Sequence, residues 1–122
     1  KKPRIFIVED EIVIVRGIEH ALKRLGYETA GFALAREQAL EKMEGLKVAL
    51  VLIGIFLAGK MDGIELSQEV AACHQVPFPY ITAYSNKEVL ERAKRTHPSG
   101  YIVKPFRESR LKVAVELALA KE

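Results

Sequence analysis

What the chain has little of narrows its class before any motif is read. Cys73 is its only cysteine, which excludes an internal disulfide or a multi-cysteine metal site and fits a reducing compartment. No apolar stretch approaches the roughly 20 residues of a membrane span. The opening Lys1-Lys2-Pro3-Arg4-Ile5 also lacks the apolar segment of a secretion signal. A soluble, cytoplasmic protein that does not engage a membrane is expected. Low-complexity tracts, internal repeats and interdomain linkers are missing, and no block of five or six like charges occurs. No G-x-G-x-x-G or P-loop pattern follows the first apolar run, which sets aside a nucleotide-binding enzyme.

What remains is a chain of 122 residues, 49% hydrophobic and 29% charged, within the range of one compact domain that buries a core. We therefore read residues 1–122 as a single domain. Beginning at Lys1 without a methionine, it reads as a piece trimmed from a larger protein. The net charge of +3 is uneven: residues 87–122 hold 9 basic and 5 acidic groups, against 10 and 11 before them. Solvated helix faces explain such a surplus more simply than a face for an acidic partner or nucleic acid does.

Apolar strand-like runs alternate with amphipathic helical stretches throughout, which argues for repeated βα units and a parallel sheet. The strands are expected at Arg4 to Val8, Glu28 to Phe32, Val48 to Ile53, Pro79 to Thr82 and Gly100 to Val103. The helices are expected at Glu11 to Leu25, Ala35 to Met43, Gly63 to Ala72, Lys87 to Thr96 and Glu108 to Ala120. In the first helix Ile14, Ile18, Ala21, Leu22 and Leu25 recur at helical spacing, and Gly26 ends it. Polar signals then fall at the strand ends: Glu9-Asp10 after the first, Thr82 after Tyr80-Ile81, and Lys104-Pro105 after Tyr101-Ile102-Val103. In an open parallel sheet, groups beyond the carboxyl ends of the strands converge on one crevice.

Four fragments in this order, Ile5-Phe6-Ile7-Val8-Glu9-Asp10-Glu11, Val51-Leu52-Ile53-Gly54-Ile55 with Met61-Asp62-Gly63-Ile64-Glu65-Leu66, Ile81-Thr82-Ala83-Tyr84, and Tyr101-Ile102-Val103-Lys104-Pro105-Phe106, together resemble the receiver domain of two-component response regulators, the CheY-like family. The resemblance covers essentially the whole chain. It implies an α/β fold: a doubly wound five-stranded parallel sheet in the order 2-1-3-4-5, with helices on both faces. It also implies phosphoryl transfer from a histidine kinase onto an aspartate ending the third strand, aided by a magnesium ion.

Residue by residue, the resemblance makes Glu9 and Asp10 the acidic pair holding the ion, directly or through water. Asp10 has a second reading, as the cap of the helix beginning near Glu11. The backbone carbonyl of Phe56 falls at a further metal ligand. Lys104 matches the lysine that pairs with the acidic cluster and then a phosphoryl oxygen, and its bond to Pro105 matches a cis peptide. Thr82 matches the hydroxyl residue that bonds the phosphoryl group, and Tyr101 the aromatic whose inward or outward rotamer reports that bond. The implied partners are a sensor histidine kinase or phosphotransfer protein, and an effector or a second copy meeting the fourth helix, fifth strand and fifth helix. No direct nucleic-acid binding is expected, since these residues hold no helix-turn-helix element. Receivers assist their own phosphorylation and dephosphorylation, so the chain reads as a signalling domain rather than an enzyme.

Gly54 is the departure. The acceptor aspartate falls at this position, and glycine has no side chain on which an acyl phosphate can form, so this form should not be phosphorylated and its magnesium binding should be weakened or lost. Two accounts stand: a natural pseudo-receiver acting as a phosphate-independent interaction module, or an acceptor replaced by natural variation, engineering or sequence error. Retention of Glu9, Asp10, Thr82 and Lys104 together favours the second.

Overall fold

The computed structural model describes residues 2–83 and 87–120. Tyr84, the last residue of the third fragment, lies outside them. Among the described residues, strands and helices alternate as β1 (Arg4–Val8), α1 (Ile12–Arg24), β2 (Glu28–Ala33), α2 (Arg36–Met43), β3 (Leu50–Gly54), α3 (Asp62–Cys73), β4 (Tyr80–Thr82), α4 (Lys87–Lys94), β5 (Tyr101–Val103) and α5 (Glu108–Ala120). Every strand pair is parallel, in the order β2-β1-β3-β4-β5.

The period of two along a strand divides the core into two layers. On β1, Phe6 and Val8 join Val51 and Ile53 of β3 against apolar side chains of α2, α3 and α4. Ile5 and Ile7 join Leu50 and Leu52 against Val15, Ile18 and Leu22 of α1 and Leu111 and Val115 of α5. Because β1 and β3 are buried on both faces, they read as continuous apolar runs.

The element ends have local causes. Gly26, at φ 93°, turns the chain out of α1 while the Tyr27 N–H returns to the Leu22 carbonyl at 2.9 Å, the Schellman arrangement that glycine permits. The fourth helix stops at Lys94 rather than Thr96, because the Thr96 and His97 amides bond three residues back and His97 takes φ 57°. β3 starts at Leu50, two residues later than the apolar run suggests, and includes Gly54, which pairs with Ile81 of β4.

A buried polar chain links two helices across β4. The fully buried Tyr80 hydroxyl donates to the Ser67 hydroxyl of α3 at 2.8 Å, and lies 2.6 Å from the Thr96 hydroxyl just past α4. Ser67 and Thr96 in turn donate to the carbonyls of Ile64 and Ala93. Tyr80→Phe is expected to lower unfolding free energy by about 1–2 kcal/mol, because a buried hydroxyl chain loses its middle member. Urea denaturation checks it, and an unchanged midpoint would show that the chain carries no stability.

Candidate functional site

The sheet register brings the strand ends together. Val8 lies beside Ile53, Gly54 beside Ile81, and Thr82 beside Val103, so Glu9, Gly54, Thr82 and Lys104 leave the carboxyl edge as neighbours. Thr82 is buried, and its carbonyl accepts the Lys104 N–H at 2.7 Å. The Lys104–Pro105 peptide is cis.

Glu9 is 1% exposed, with its backbone N–H bonded to Ala33 at the end of β2. Its carboxylate accepts the Glu11 N–H at 2.9 Å, and the Lys104 ammonium lies 3.2 Å from both of its oxygens. The same ammonium donates to Glu11 at 2.7 Å. Burial pushes the Glu9 pKa above its usual 4.5, and the Glu11 amide and Lys104 only partly oppose this. Burial also disfavours the charged form of Lys104, but its bonds to Glu11 and Glu9 outweigh this and hold its pKa above the ordinary lysine value.

Because the Glu9 pKa is raised by folding, its contribution to stability is fully present below the ordinary 4.5 and is lost as pH rises through the raised value. Glu9→Gln is therefore expected to raise the thermal midpoint near pH 7, with the gain shrinking on acidification, while Lys104 keeps Glu11. Melts at several pH values check this, and a gain that grows in acid would contradict it.

Asp10 does not cap α1: the N-cap residue is Glu11, and no side chain caps that helix. Its carboxylate instead accepts the Ala58 N–H at 2.9 Å, in the loop after β3. That loop turns at Ala58 and Gly59, with φ 54° and 80°, while Leu57 and Lys60 exchange both backbone bonds. The non-glycine Ala58 bears a left-handed cost of roughly 1–2 kcal/mol in a position that presents its amide to Asp10. Glu9, Asp10 and Glu11 offer carboxylate oxygens all within 4.8 Å of one another. This hard-oxygen set fits a magnesium ion, which takes carboxylates at about 2.0–2.1 Å and keeps several waters.

Gly54 is buried, and its φ is not in the left-handed region. A Cβ there would stand 3.1 Å from a Glu9 carboxylate oxygen and 3.4 Å from Leu57 Cδ2 and the Val8 carbonyl. Gly63, in the first turn of α3, is more tightly constrained: its Cβ would lie 1.8 Å from the Gly54 carbonyl oxygen, and its N–H bonds Ile55 at 3.1 Å. Phe56, two residues beyond Gly54, is 42% exposed, and its side chain faces α4. Tyr101 pairs with Tyr80 across the sheet and is 36% exposed, its ring 6.1 Å from the Tyr80 ring.

Three participants are not evident from sequence alone. Glu11 is visible only as the third acid of a run, Ala58 acts through its backbone, and the closeness of Gly63 to Gly54 depends on how α3 returns to β3.

A doubly wound sheet carrying acids after β1, a hydroxyl at the end of β4 and a lysine after β5 defines a class, and the sequence match agrees with it. Residues 5–116 match the family described as response regulator receiver domain, and the chain belongs to that family of two-component signalling domains. It is 35% identical over 118 residues to the transcriptional regulatory protein PdtaR of Mycobacterium tuberculosis, covering 97% of this chain but 57% of that protein. It is 31% identical to the chemotaxis protein CheY1 of Helicobacter pylori, covering 95% of this chain and 96% of that one. Among solved structures, the signal receiver domain of a modulated diguanylate cyclase from Desulfovibrio desulfuricans superposes with TM-score 0.92 at 32% identity, covering 99% of this chain and 96% of that one. No described helix is long and apolar enough to cross a membrane.

Proposed function

We propose that residues 1–122 form one receiver domain of a two-component phosphorelay in which Gly54 occupies the phosphoacceptor position, so that this form takes no phosphoryl group. The observation that carries the reading is the placement of Gly54 at the buried end of β3, with its Cβ direction meeting Glu9. Glu9, Asp10 and the Phe56 backbone carbonyl would hold magnesium, more weakly than a site with an aspartate at 54. The ion would neutralise charge on a transferring phosphoryl group. Lys104 and Thr82 are assigned to the phosphoryl oxygens, and Tyr101 to reporting that contact on the outer surface.

The partners we assign are a sensor histidine kinase or phosphotransfer protein in the cytoplasm, and an effector or second copy meeting α4, β5 and α5. The domain acts as a signalling element rather than an enzyme and does not itself bind nucleic acid. One contact favours the pseudo-receiver alternative: the Lys104 ammonium is already bonded by Glu9 and Glu11 without any carboxylate at 54. Phosphoryl transfer to the chain and to Gly54→Asp, compared side by side by intact mass, separates the two readings.

A further inference from the structure

Beside the strand-end site, a groove of about 810 Å³ lies between the β3–α3 loop and α4. Phe56, Met61 and Val89 supply its apolar surface, and Lys87, Arg92 and Arg95 supply cations. Elsewhere Arg4, Arg16, Arg24 and Arg36 each hold a carboxylate. Arg92 lies instead on the Met61 sulfur at 3.9 Å, a weak acceptor. Among the described residues, Arg92, Arg95 and Lys87 have no carboxylate partner. Two acids, Glu88 and Glu91, also face the groove, but Glu91 already meets Lys94 at 3.7 Å. The groove therefore sets an exposed phenylalanine beside three cations that hold no carboxylate, with a net charge of +1 once Glu88 and Glu91 are counted, an apolar centre with a charged rim as protein interfaces have.

We propose that this groove docks an acidic amphipathic helix of a partner protein, with a bulky apolar side chain beside Phe56 and carboxylates along α4. The cations run from Lys87 to Arg95, roughly 12 Å at 1.5 Å per residue, a spacing that suits carboxylates spread over two turns of a partner helix better than a single phosphate group. Apolar anchors at helical spacing give such docking its grip, and the charges set its orientation and association rate. The groove is distinct from the outer surface of β5 and α5, where Tyr101, Val113 and Leu117 are exposed.

The test is fluorescence anisotropy with a labelled helical peptide of about 15 residues, leucine and phenylalanine on one face and glutamates on its flanks. A scrambled peptide of the same composition is the comparison, and no phosphodonor is present. Saturable binding is expected for the amphipathic peptide alone, with amide shifts in residues 56–61 and 87–95. Arg92→Glu with Arg95→Glu, and separately Phe56→Ser, should each weaken it at least about tenfold while circular dichroism stays native. Val113→Ser and Leu117→Ser should leave it unchanged. The proposal is overturned by absence of saturation, equal binding of the scrambled peptide, shifts centred on α5, or displacement of the peptide by ATP, which would make the groove a nucleotide site.

Discussion

Gly54→Asp is expected to acquire one phosphoryl group from a small-molecule donor with magnesium, while the chain as it stands acquires none. The difference is all-or-none because the reaction needs an oxygen nucleophile: a carboxylate oxygen attacks phosphorus, the donor's P–O bond breaks, and the donor leaves with the electron pair. A side chain at 54 is sterically admissible. Its Cβ meets only the end of Glu9 at 3.1 Å and two contacts at 3.4 Å, so Glu9 must yield by a few tenths of an ångström. The added charge also has a consequence without metal. Two charges about 4 Å apart at an effective dielectric near 20 interact by roughly 4 kcal/mol, before screening and before Lys104 compensates. Gly54→Asp should therefore unfold at a lower midpoint than the chain without magnesium and should bind magnesium more tightly. A Gly54→Asp protein of equal or greater apo stability contradicts the charge argument. One that stays unphosphorylated, by intact mass and by lability in acid and base, moves the pseudo-receiver reading ahead.

Gly63→Ala should be among the most damaging single-methyl additions in the molecule. Its Cβ would lie 1.8 Å from the Gly54 carbonyl oxygen and 2.8 Å from the Gly54 carbonyl carbon and the Ile55 oxygen. Those obstacles are backbone, so no rotamer change relieves them; either α3 lifts from β3 or the strand end bends. Overpacking of a core typically costs 1–3 kcal/mol and occasionally more, and this clash belongs at the upper end. A loss of about 3 kcal/mol, a fall of roughly 10–20 °C in the melting midpoint for a domain of this size, is expected. Gly17→Ala is the control, since an added methyl there meets nothing within 4 Å. If Gly63→Ala melts with the parent, the close approach of α3 to the end of β3 is wrong.

The doubly wound sheet was legible because its signals are periodic and repeated: β1 and β3 are uninterrupted apolar runs, and α1 shows apolar side chains at helical spacing. The strand-end location of Glu9, Thr82 and Lys104 followed from the same pattern, since polar residues directly after a parallel strand have one place to go. Boundaries were less legible where the deciding interaction is not periodic. Val48 continues the apolar run that leads into β3 yet precedes its first ladder pair, and Thr96 continues the helical pattern of α4 yet has its amide bonded three residues back. Asp10 illustrates the limit within the site. Its position before a helix is a capping signal, but the Ala58 amide across the edge takes the carboxylate. Backbone donors of that kind leave no trace in residue type.

The Glu9–Lys104 contact joins positions 95 residues apart. Closing a loop of that length carries an entropic cost that local helices and neighbouring strands avoid. A growing or fraying chain can pair β1 with β3 long before β5 is in place, and in that interval Glu9 has no distant cation to answer its charge. Leaving a buried carboxylate unanswered is among the costlier states of a folding chain, so water must stay near Glu9 until β5 arrives. The edge where the strand ends converge is thus completed only when nearly the full length of the domain has been ordered.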